Sequence, residues 1–458
     1  MGPRITIIGG GSYQWAPKLL VDFANTPVLQ DAQIALHDID PAPLPRMVEL
    51  VEHIADVRGI GMTALGTTDR RQALEGADYV VVNISTGGFA SMRHDLEVPA
   101  RYGLMQSVGD TVGPGGIMRS LRNIPVFVDI ARDIESLCPD AWLLNLTNPM
   151  TAICRALTRE TSVKTIGLCH EITGAQFTLS LLLDANFLEM TPTIAGVNHL
   201  PFMTKLDIAG SDGLEALREV LDDDARADEP VAVAFPEALE GPASNSKQPT
   251  KRDLLEQNRV KFELFSQFGV LPGAGDRHLV EFFPGFLTEE SRWGERWGVK
   301  LTTIEDRERG QQHHIKRFED MLTAAKMSSM PSGEMVAPVI QCRILDQPGW
   351  FPLNIPNEGQ VADLPIAVTV ESICVADGNG ARGRDAVCLP AAMAEHLRRV
   401  SVSQELTVEA ALTGDPDKVF EAMLADPLAG RMDYDRLADM ADEMLRATSA
   451  WLPQFTRV

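Results

Sequence analysis

Two short polar segments, at residues 168–171 and 197–200, carry side chains of the types that bind metal ions in proteins. Leu168–Glu171 contains the thiol of Cys169, and Val197–Leu200 contains the imidazole of His199. A thiolate with an imidazole suits a divalent transition metal, and two protein ligands are fewer than a structural zinc site needs. The alternative for each residue alone is a packed core side chain. The polar neighbours in both segments favour a catalytic metal, with substrate oxygens or water completing its coordination.

A Gly/Pro-rich loop, Gly109–Gly116, holds a single carboxylate, Asp110. Arg119 and Arg122 follow it on a predicted helix. Such loops occur at functional sites and as plain turns, so the residues alone leave both interpretations open.

A second polar cluster, Asp276-Arg277-His278 with Glu281, follows the Gly/Pro-rich segment 271–275. A carboxylate beside an arginine and a histidine can act as a base. It can equally form an ion-paired surface group, and the residues alone do not decide between these roles.

The N-terminal segment is typical of dinucleotide binding. The apolar strand Arg4–Ile8 runs into Gly9 and Gly11, which allow a tight turn and close approach of a pyrophosphate to a helix N-terminus. The third glycine of the fingerprint is replaced by Gln14. Asp38, at the end of the next predicted strand, can accept both ribose hydroxyls and would repel the extra phosphate of NADP. These features predict an NAD site, the alternative being a structural turn beside a solvated aspartate.

The elements that would position the candidate metal, catalytic and NAD-binding residues are predicted from the first 200 residues, which alternate between strands and helices. Buried strands are predicted at 4–8, 33–37, 78–83, 142–146 and 165–168, with a helix at 16–23. Short apolar strands separated by helices predict an α/β fold with a Rossmann-like, doubly wound parallel sheet. Ligands gather at the carboxyl ends of such strands, where Asn83, Asn148 and Cys169 fall.

The second half alternates less regularly. Residues 209–256 are rich in Asp, Glu, Pro and Ser and predict a surface insertion. A strand is predicted at 366–375, and amphipathic helices at 390–425 and 433–450. We therefore expect two domains: a nucleotide-binding domain over 1–198, and an α+β domain for catalysis and oligomerisation over 199–458.

Composition limits the classes of function. The 458 residues carry a net charge of −23, which argues against nucleic-acid binding. Neither a signal-peptide pattern nor an apolar run of the roughly 20 residues needed to span a membrane is present. The six cysteines are scattered without the spacing of a disulfide framework, which favours a reducing cytoplasm. A homo-oligomer, a dimer or tetramer, is expected from the general prevalence of symmetric assemblies.

Taken together, the motifs resemble the NAD- and divalent-metal-dependent glycoside hydrolases of family 4. The resemblance runs from the first strand to the C-terminal helices. The residues that carry it are Gly9-x-Gly11-Ser12, Asp38-Ile39-Asp40, Asp110-Thr111-x-Gly113-Pro114-Gly115-Gly116, Asn148-Pro149, Gly167-x-Cys169-His170, Gly196-x-Asn198-His199 and Asn354-x-Pro356-Asn357-x-Gly359.

The resemblance implies a fold like that of the lactate and malate dehydrogenases and a redox-assisted elimination. Bound NAD⁺ takes hydride from C3 of the sugar, and the divalent metal, for which Mn²⁺ is expected among manganese, cobalt, nickel and iron, polarises the C2 and C3 oxygens. A base then removes the C2 proton and the leaving group is expelled. Water adds to the resulting enone and hydride returns to C3, so no cofactor is consumed.

The resemblance also implies roles for individual residues. Cys169 and His199 are the metal ligands, and Asp276 is the base that takes the C2 proton. The leaving-group acid is His170, Asp110 or water. The remaining assignments are NAD contacts for Gly9, Gly11, Ser12, Asp38 and Asn83, and substrate contacts for Asn148, Arg122, Asn198 and His278.

The implied substrate is an unphosphorylated α-glycoside. Gly109–Arg122 and Cys169-His170 resemble the melibiase branch, which acts on α-galactosides, whereas phospho-glycosidases usually carry Asp or Asn after the metal cysteine. Other positions differ from melibiases, among them Glu171 and Lys261-Phe262, where melibiases have Arg-Tyr. The sugar is therefore an α-galactoside, α-glucoside or α-uronide.

Two other functions use part of the same residues. An NAD-dependent 2-hydroxy acid dehydrogenase would need a His–Asp pair and a carboxylate-binding arginine, but not Cys169. A non-catalytic NAD-binding sensor would need Gly9, Gly11 and Asp38 alone. Net NADH production separates the dehydrogenase from the hydrolase, which produces none.

Overall fold

The computed structural model describes residues 2–231 and 250–455 of the chain. Within these residues all thirteen strands belong to one mixed sheet, with helices packed on both faces. The strands are β1 (Arg4–Ile8), β2 (Gln33–His37), β3 (Thr63–Thr67), β4 (Tyr79–Val82), β5 (Trp142–Asn145), β6 (Lys164–Leu168), β7 (Met190–Val197), β8 (Leu200–Ile208), β9 (Ser211–Asp212), β10 (Leu271–Pro272), β11 (Gly349–Pro356), β12 (Thr369–Asp377) and β13 (Gly380–Gly383).

The helices lie between these strands and after them. They are α1 (Ala16–Asn25), α2 (Leu44–Arg58), α3 (Arg70–Leu74), α4 (Gly88–Arg101), α5 (Gly113–Leu137), α6 (Met150–Glu160), α7 (Glu171–Leu182), α8 (Gly213–Leu221), α9 (Asp224–Ala227), α10 (Lys251–Glu256), α11 (Arg259–Phe268), α12 (Asp276–Phe282), α13 (Ile304–Leu322), α14 (Val336–Leu345), α15 (Ala391–Thr413), α16 (Pro416–Ala425) and α17 (Tyr434–Ala447). None of the helices in the described ranges is both long and apolar enough to cross a membrane.

The N-terminal half confirms the predicted α/β fold. Its strands lie in the order β3-β2-β1-β4-β5-β6, and every neighbouring pair is parallel. The five predicted strands are all present, with bounds shifted by one residue at most on either side. The edge strand β3 has no buried residue, and for this reason hydrophobicity alone did not reveal it.

The C-terminal half extends the same sheet with antiparallel strands. β11 pairs with β6, and beyond it the order continues β12-β7-β8-β10. The predicted domain boundary between residues 198 and 199 lies in the turn between β7 and β8. The division into two domains stays a prediction.

Two hydrophobic cores lie on the two faces of the sheet. On β4, Val80 and Val82 belong to one core, and Tyr79 and Val81 to the other, as the alternation of side chains along a strand requires. The first core includes α5, α6 and the C-terminal helices α15–α17. Helices from both ends of the chain therefore share one apolar interior.

Two predictions for the second half differ from the structure. The helix predicted over 390–425 is two helices, because Gly414 has a left-handed φ of 69° and ends α15, while Asp415 caps α16. Within the predicted insertion 209–256, the described parts form β9 and the helices α8, α9 and α10. Residues 232–249 of that insertion lie outside the described residues.

Candidate active site

The turn after β1 has the backbone geometry of a dinucleotide site. Gly9 has a φ of 89°, and a Cβ atom there would lie 2.0 Å from the carbonyl oxygen of Asn83. Gly11 donates its N–H to Asp38 Oδ2 at 3.0 Å, and Ser12 Oγ accepts the N–H of Trp15 at the start of α1. The predicted NAD residues therefore lie together at the N-terminal end of α1, in a turn that is packed too closely for side chains at Gly9 and Gly11.

The two predicted metal ligands follow strands of the same sheet. Cys169 comes directly after β6, and His199 occupies the turn between β7 and β8 with a left-handed φ of 63°. Both lie close enough to Glu171 for its charge to act on their pKa values. The side chain of Asn198, the residue before His199, lies against the Cys169 thiol, so the two segments meet in the fold.

A compact group of potential ligand atoms surrounds His199. Among the described residues, Asp110, His199 and His278 each offer a ligand atom, and these atoms lie within 4.8 Å of one another. The rings of His199 and His278 are 3.7 Å apart between centroids. Nδ1 of His278 is buried without a hydrogen-bond partner. Such a set of nitrogen and oxygen ligand atoms fits a divalent cation.

Thr111 fixes the orientation of the His199 ring. The Thr111 hydroxyl donates to Asp110 Oδ1 at 2.7 Å, and its oxygen lies 2.7 Å from His199 Nδ1. With the hydroxyl proton directed at Asp110, Nδ1 of His199 carries a proton and donates it to Thr111. The lone pair of Nε2 is then the one available to a metal.

The charges at this site suit metal binding. Burial lowers the pKa of His199 to about 3, so its ring is neutral at physiological pH. Burial alone would raise the pKa of Asp110, but the charges of His278, His199 and Arg119 hold it well below its usual range. Asp110 is therefore an anion beside neutral imidazole, as a cation site requires.

Cys169 lies outside the group of three and contacts a second set of polar side chains. Burial raises the pKa of its thiol well above the ordinary value, and the charges of Glu371 and Glu171 act in the same direction. Asn198 lies against the thiol and donates its Nδ2 to Glu371 Oε2 at 3.3 Å. A positive ion is the group that would favour the thiolate here.

Glu371 is a residue that the sequence interpretation missed. It is fully buried in β12, with its pKa raised to about 8, chiefly by burial. Its register partners are Asn354 on β11 and Gly196 on β7, and Asn354 pairs in turn with Gly167 on β6. Glu371 therefore lies level with residues that come two positions before Cys169 and three before His199. The signal available in the sequence was a glutamate in a strand whose other residues are mostly apolar or small.

Helix α12 carries the second predicted cluster. Both carboxylate oxygens of Asp276 accept backbone N–H groups, from Val260 at 2.8 Å and from Lys261 at 2.9 Å. Burial raises the pKa of Asp276. Its carboxylate therefore fixes the start of α11, and each oxygen keeps a further lone pair for a proton.

Glu281, one turn and a half further along α12, holds the Asp110 loop. Its Oε1 accepts the N–H groups of Val108 and Gly109, each at 2.8 Å. The loop and the helix are thus tied together, which explains how Asp110 and His278 meet although they are far apart in the chain.

Arg122, a predicted substrate contact, lies inside the protein. Its two terminal nitrogens bind both oxygens of Asp95, at 2.9 and 2.5 Å, and its Nε donates to the carbonyl of Thr86 at 2.9 Å. Because all three nitrogens have partners within the protein, Arg122 supports the loop after β4 instead of facing the site. Arg119, one turn earlier, lies close enough to Asp110 to influence its pKa.

The remaining predicted residues border the site. His170 Nδ1 lies 3.2 Å from Glu334 Oε1, and its side chain is half exposed beside Trp15. The carbonyl of Asn148 accepts Nε of Arg119 at 2.9 Å, while its side-chain oxygen is buried without a partner. This oxygen is available to a bound ligand.

Comparison with known proteins gives matches over nearly the whole chain. The model of the family 4 glycosyl hydrolases matches residues 4–185, and the model of the family 4 glycosyl hydrolase C-terminal domain matches residues 194–429. An α-galactosidase of Bacillus subtilis is 32% identical, with 99% of each chain covered. An α-galacturonidase of Thermoanaerobacterium saccharolyticum is also 32% identical, over 98% of this chain and 96% of the relative.

Solved structures show the same similarity in fold. A putative glucosidase of Bacillus subtilis superposes with a TM-score of 0.85 at 31% identity, covering 97% of this chain and 100% of the other. A 6-phospho-α-glucosidase from gut microorganisms, solved with NAD and Mn²⁺, gives 0.79 at 22% identity, with both chains fully covered. A malate dehydrogenase of Plasmodium falciparum gives 0.52 at 11% identity, covering 91% of this chain and 99% of the other. The latter two comparisons concern the fold alone, and they agree with the predicted dehydrogenase-like architecture.

Proposed function

The chain belongs to family 4 of the glycosyl hydrolases, and from this premise we propose that it is an NAD- and divalent-metal-dependent glycosidase of unphosphorylated α-glycosides. The observation that carries the proposal is the convergence of Asp110, His199 and His278 next to the segment of Cys169, whose thiol contacts Asn198. A simple dehydrogenase would use a His–Asp pair but would not need the thiol of Cys169 beside it.

The residues present fit both cofactors. Gly9, Gly11 and Ser12, with Asp38 and Asn83, would hold NAD at the N-terminus of α1. Cys169 and His199 would hold the metal, for which we propose Mn²⁺, with Asp110 and His278 beside it. When bound, NAD supplies reversible hydride transfer at C3 of the sugar, and the metal polarises the C2 and C3 oxygens.

The protein's own groups would move protons and orient the sugar. Asp276 would take the C2 proton, since burial raises its pKa and two backbone N–H groups fix its position. His170 would serve the leaving group, because its half-exposed ring can contact both solvent and aglycon. Asn148, with its unpaired buried oxygen, and Asn198 would contact the sugar.

The reaction differs from that of ordinary glycosidases, which use two carboxylates on either side of the glycosidic bond. Asp110 is held as an anion by its neighbours, so it cannot donate a proton at neutral pH. Its role would be electrostatic, stabilising the metal cation held by His199.

A glycoside panel tests the proposal. The protein is incubated with NAD⁺, Mn²⁺ and a reductant, and nitrophenyl α- and β-galactosides, glucosides and uronides are offered, with phosphorylated sugars alongside. We expect cleavage of an unphosphorylated α-glycoside that needs both NAD⁺ and metal and leaves no net NADH. NADH accumulation without cleavage would instead favour the 2-hydroxy acid dehydrogenase.

We further propose that the enzyme acts in the cytoplasm as a homo-oligomer, a dimer or tetramer. Light scattering after size-exclusion chromatography measures the mass directly. A monomer at micromolar concentration would contradict the assembly.

A further inference from the structure

Glu334 is a buried acidic residue that contacts the candidate leaving-group histidine. Its side chain is only 5% exposed, and its Oε1 lies 3.2 Å from Nδ1 of His170. A carboxylate oxygen can only accept a hydrogen bond, so Nδ1 of His170 carries a proton in both charge states of the imidazole ring. The contact therefore fixes both the tautomer and the orientation of the ring.

The opposite edge of the His170 ring is open. Within residues 2–231 and 250–455, no hydrogen bond or ion pair involves Nε2 of His170, and the side chain is half exposed. The ring centroid lies 6.4 Å from that of Trp15, the residue at the start of α1 beside the nucleotide turn. His170 also directly follows Cys169, a proposed metal ligand. The free Nε2 is thus available to a ligand bound next to both segments.

The segment that carries Glu334 is fastened to the nucleotide-binding half of the chain. Ser332 donates its backbone N–H to Asp22 Oδ1 on α1 at 2.9 Å, and its hydroxyl to the other oxygen of this buried aspartate. The Ser332 hydroxyl oxygen in turn accepts the N–H of Glu334 at 3.2 Å. Arg58 on α2 binds the carbonyl oxygen of Ser328 at 2.6 Å. Two helices therefore fix where the backbone of Glu334 lies.

A carboxylate that serves only stability would bind groups of the fold itself. Asp22 does so, since both its oxygens bind Ser332 and join two segments of the chain. Among the residues that the structure describes, Glu334 has His170 as its only side-chain partner, and that ring is half exposed. Burying a carboxylate costs free energy, and a contact with a half-exposed side chain offsets little of it. The contact is therefore better explained by ordering of the ring.

We propose that Glu334 is a positioning residue for the leaving-group step, and that it holds the His170 ring with Nε2 directed at the departing oxygen. This inference rests on the proposed glycosidase function. In the elimination, the electron pair left at C2 forms the C1=C2 bond, and the C1–O bond breaks with its electron pair on the departing oxygen. That oxygen takes a proton from Nε2. The water that later adds to C1 returns a proton to Nε2, so the ring ends each turnover unchanged.

Leaving groups of different basicity test the proposal. Nitrophenolate departs without a proton whereas methoxide needs one, so the nitrophenyl and methyl glycosides of the same sugar are compared. In Glu334→Ala, kcat/KM for the methyl glycoside should fall by about 10- to 100-fold, mainly through kcat, and that for the nitrophenyl glycoside by less than about threefold. Glu334→Gln, whose side-chain oxygen still accepts from Nδ1, should recover most of the loss. Glu319→Ala, which removes an exposed ion pair on α13, is the matched control and should behave as wild type.

In this proposal Glu334 acts only through His170, and this dependence gives a second test. His170→Asn should also lose activity mainly on the methyl glycoside, and adding Glu334→Ala to it should cause no further loss. Equal losses on both glycosides in Glu334→Ala would overturn the proposal. Additive losses in the double variant would overturn it as well.

Nitrogen NMR of the histidine rings tests the contact without catalysis. The neutral ring of His170 should carry its proton on Nδ1 in the wild-type protein, whereas a free imidazole side chain prefers Nε2. The spectrum of His170→Asn identifies the signal, and in Glu334→Ala the proton should move to Nε2. If no glycoside is cleaved, the proposed function fails, and this spectrum still decides whether Glu334 sets the ring. The same tautomer in Glu334→Ala and the wild type would refute the positioning role.

Discussion

At the scale of single residues, the thiol of Cys169 is the group whose chemistry depends most on a bound cation. Burial and the charges of Glu371 and Glu171 all raise its pKa, so the protein alone disfavours the thiolate. A positive charge placed against the sulfur would reverse this preference. The sequence motif identified Cys169, but its acidic surroundings became visible only in the fold.

Cys169→Ser should therefore remove metal binding while leaving the nucleotide turn intact. A hydroxyl is a much poorer ligand than a thiolate, and we expect activity to fall by about 100-fold or more. Calorimetry with Mn²⁺ and with NAD⁺ measures the two affinities separately. The exposed Cys388 is the matched control, and Cys388→Ser should behave as wild type. A fully active Cys169→Ser variant would refute the ligand assignment.

Asp276 combines a structural and a proposed chemical role, and Asp276→Asn affects the two to different extents. The single side-chain oxygen of Asn can accept only one of the two backbone N–H groups that the carboxylate accepts, and its amide nitrogen would face the other, so the start of α11 should loosen and the melting temperature should fall slightly. Because Asn is also a very weak base, we expect exchange of the C2 proton to slow by about 10²–10⁴-fold. NMR measurement of deuterium incorporation at C2 gives the rate. Unchanged exchange in a folded variant would exclude Asp276 as the base.

At the scale of elements, local patterns predicted five of the six parallel strands, and β12 as well, but not how the antiparallel strands pair. The five predicted parallel strands are short apolar runs followed by a glycine or polar residue, so their existence follows from their own sequence. The pairing of β11 with β6 joins residues 185 to 187 positions apart, and that of β12 with β7 joins residues 175 to 177 positions apart. No local signal specifies such a pairing, and the role of Glu371 therefore remained hidden.

The same pairing predicts the effect of changing Glu371. Its Oε2 accepts the Asn198 amide, which in turn lies against Cys169, so Glu371 positions the residues next to both proposed ligands. Glu371→Ala should weaken Mn²⁺ binding by about 10- to 100-fold, as loss of supporting hydrogen bonds does at other metal sites. Glu371→Gln, whose oxygen still accepts the amide, should lose much less. Equal affinities in calorimetry for both variants and the wild type would contradict this positioning role.

At the scale of the whole molecule, the candidate site belongs to neither half of the chain alone. The nucleotide turn and Asp110 lie in the N-terminal half, whereas His278 and Glu371 come from the C-terminal half. Composition and motifs indicated which residues carry the chemistry, and the general rule about strand ends indicated where they gather. Which of them meet depends on packing, since Glu281 on α12 holds the Asp110 loop and α15–α17 cover α5.

This shared packing argues that the two predicted domains fold together. A fragment of residues 1–198 would keep β1–β6 but lose β11, the partner of β6, and β8 and β12, the partners of β7. It would also expose the apolar face of α5, including Leu121 and Ile124, that belongs to the same core as Leu397 and Val400 of α15. Unpaired strand edges and large apolar patches favour aggregation over a stable monomer.

We therefore expect the fragment to be insoluble or to bind NAD⁺ much more weakly than the full chain. The full chain should unfold in one transition, with the same midpoint by circular dichroism and by fluorescence. A soluble fragment with a dispersed NMR spectrum and full NAD⁺ affinity would show instead that residues 1–198 form an independent domain.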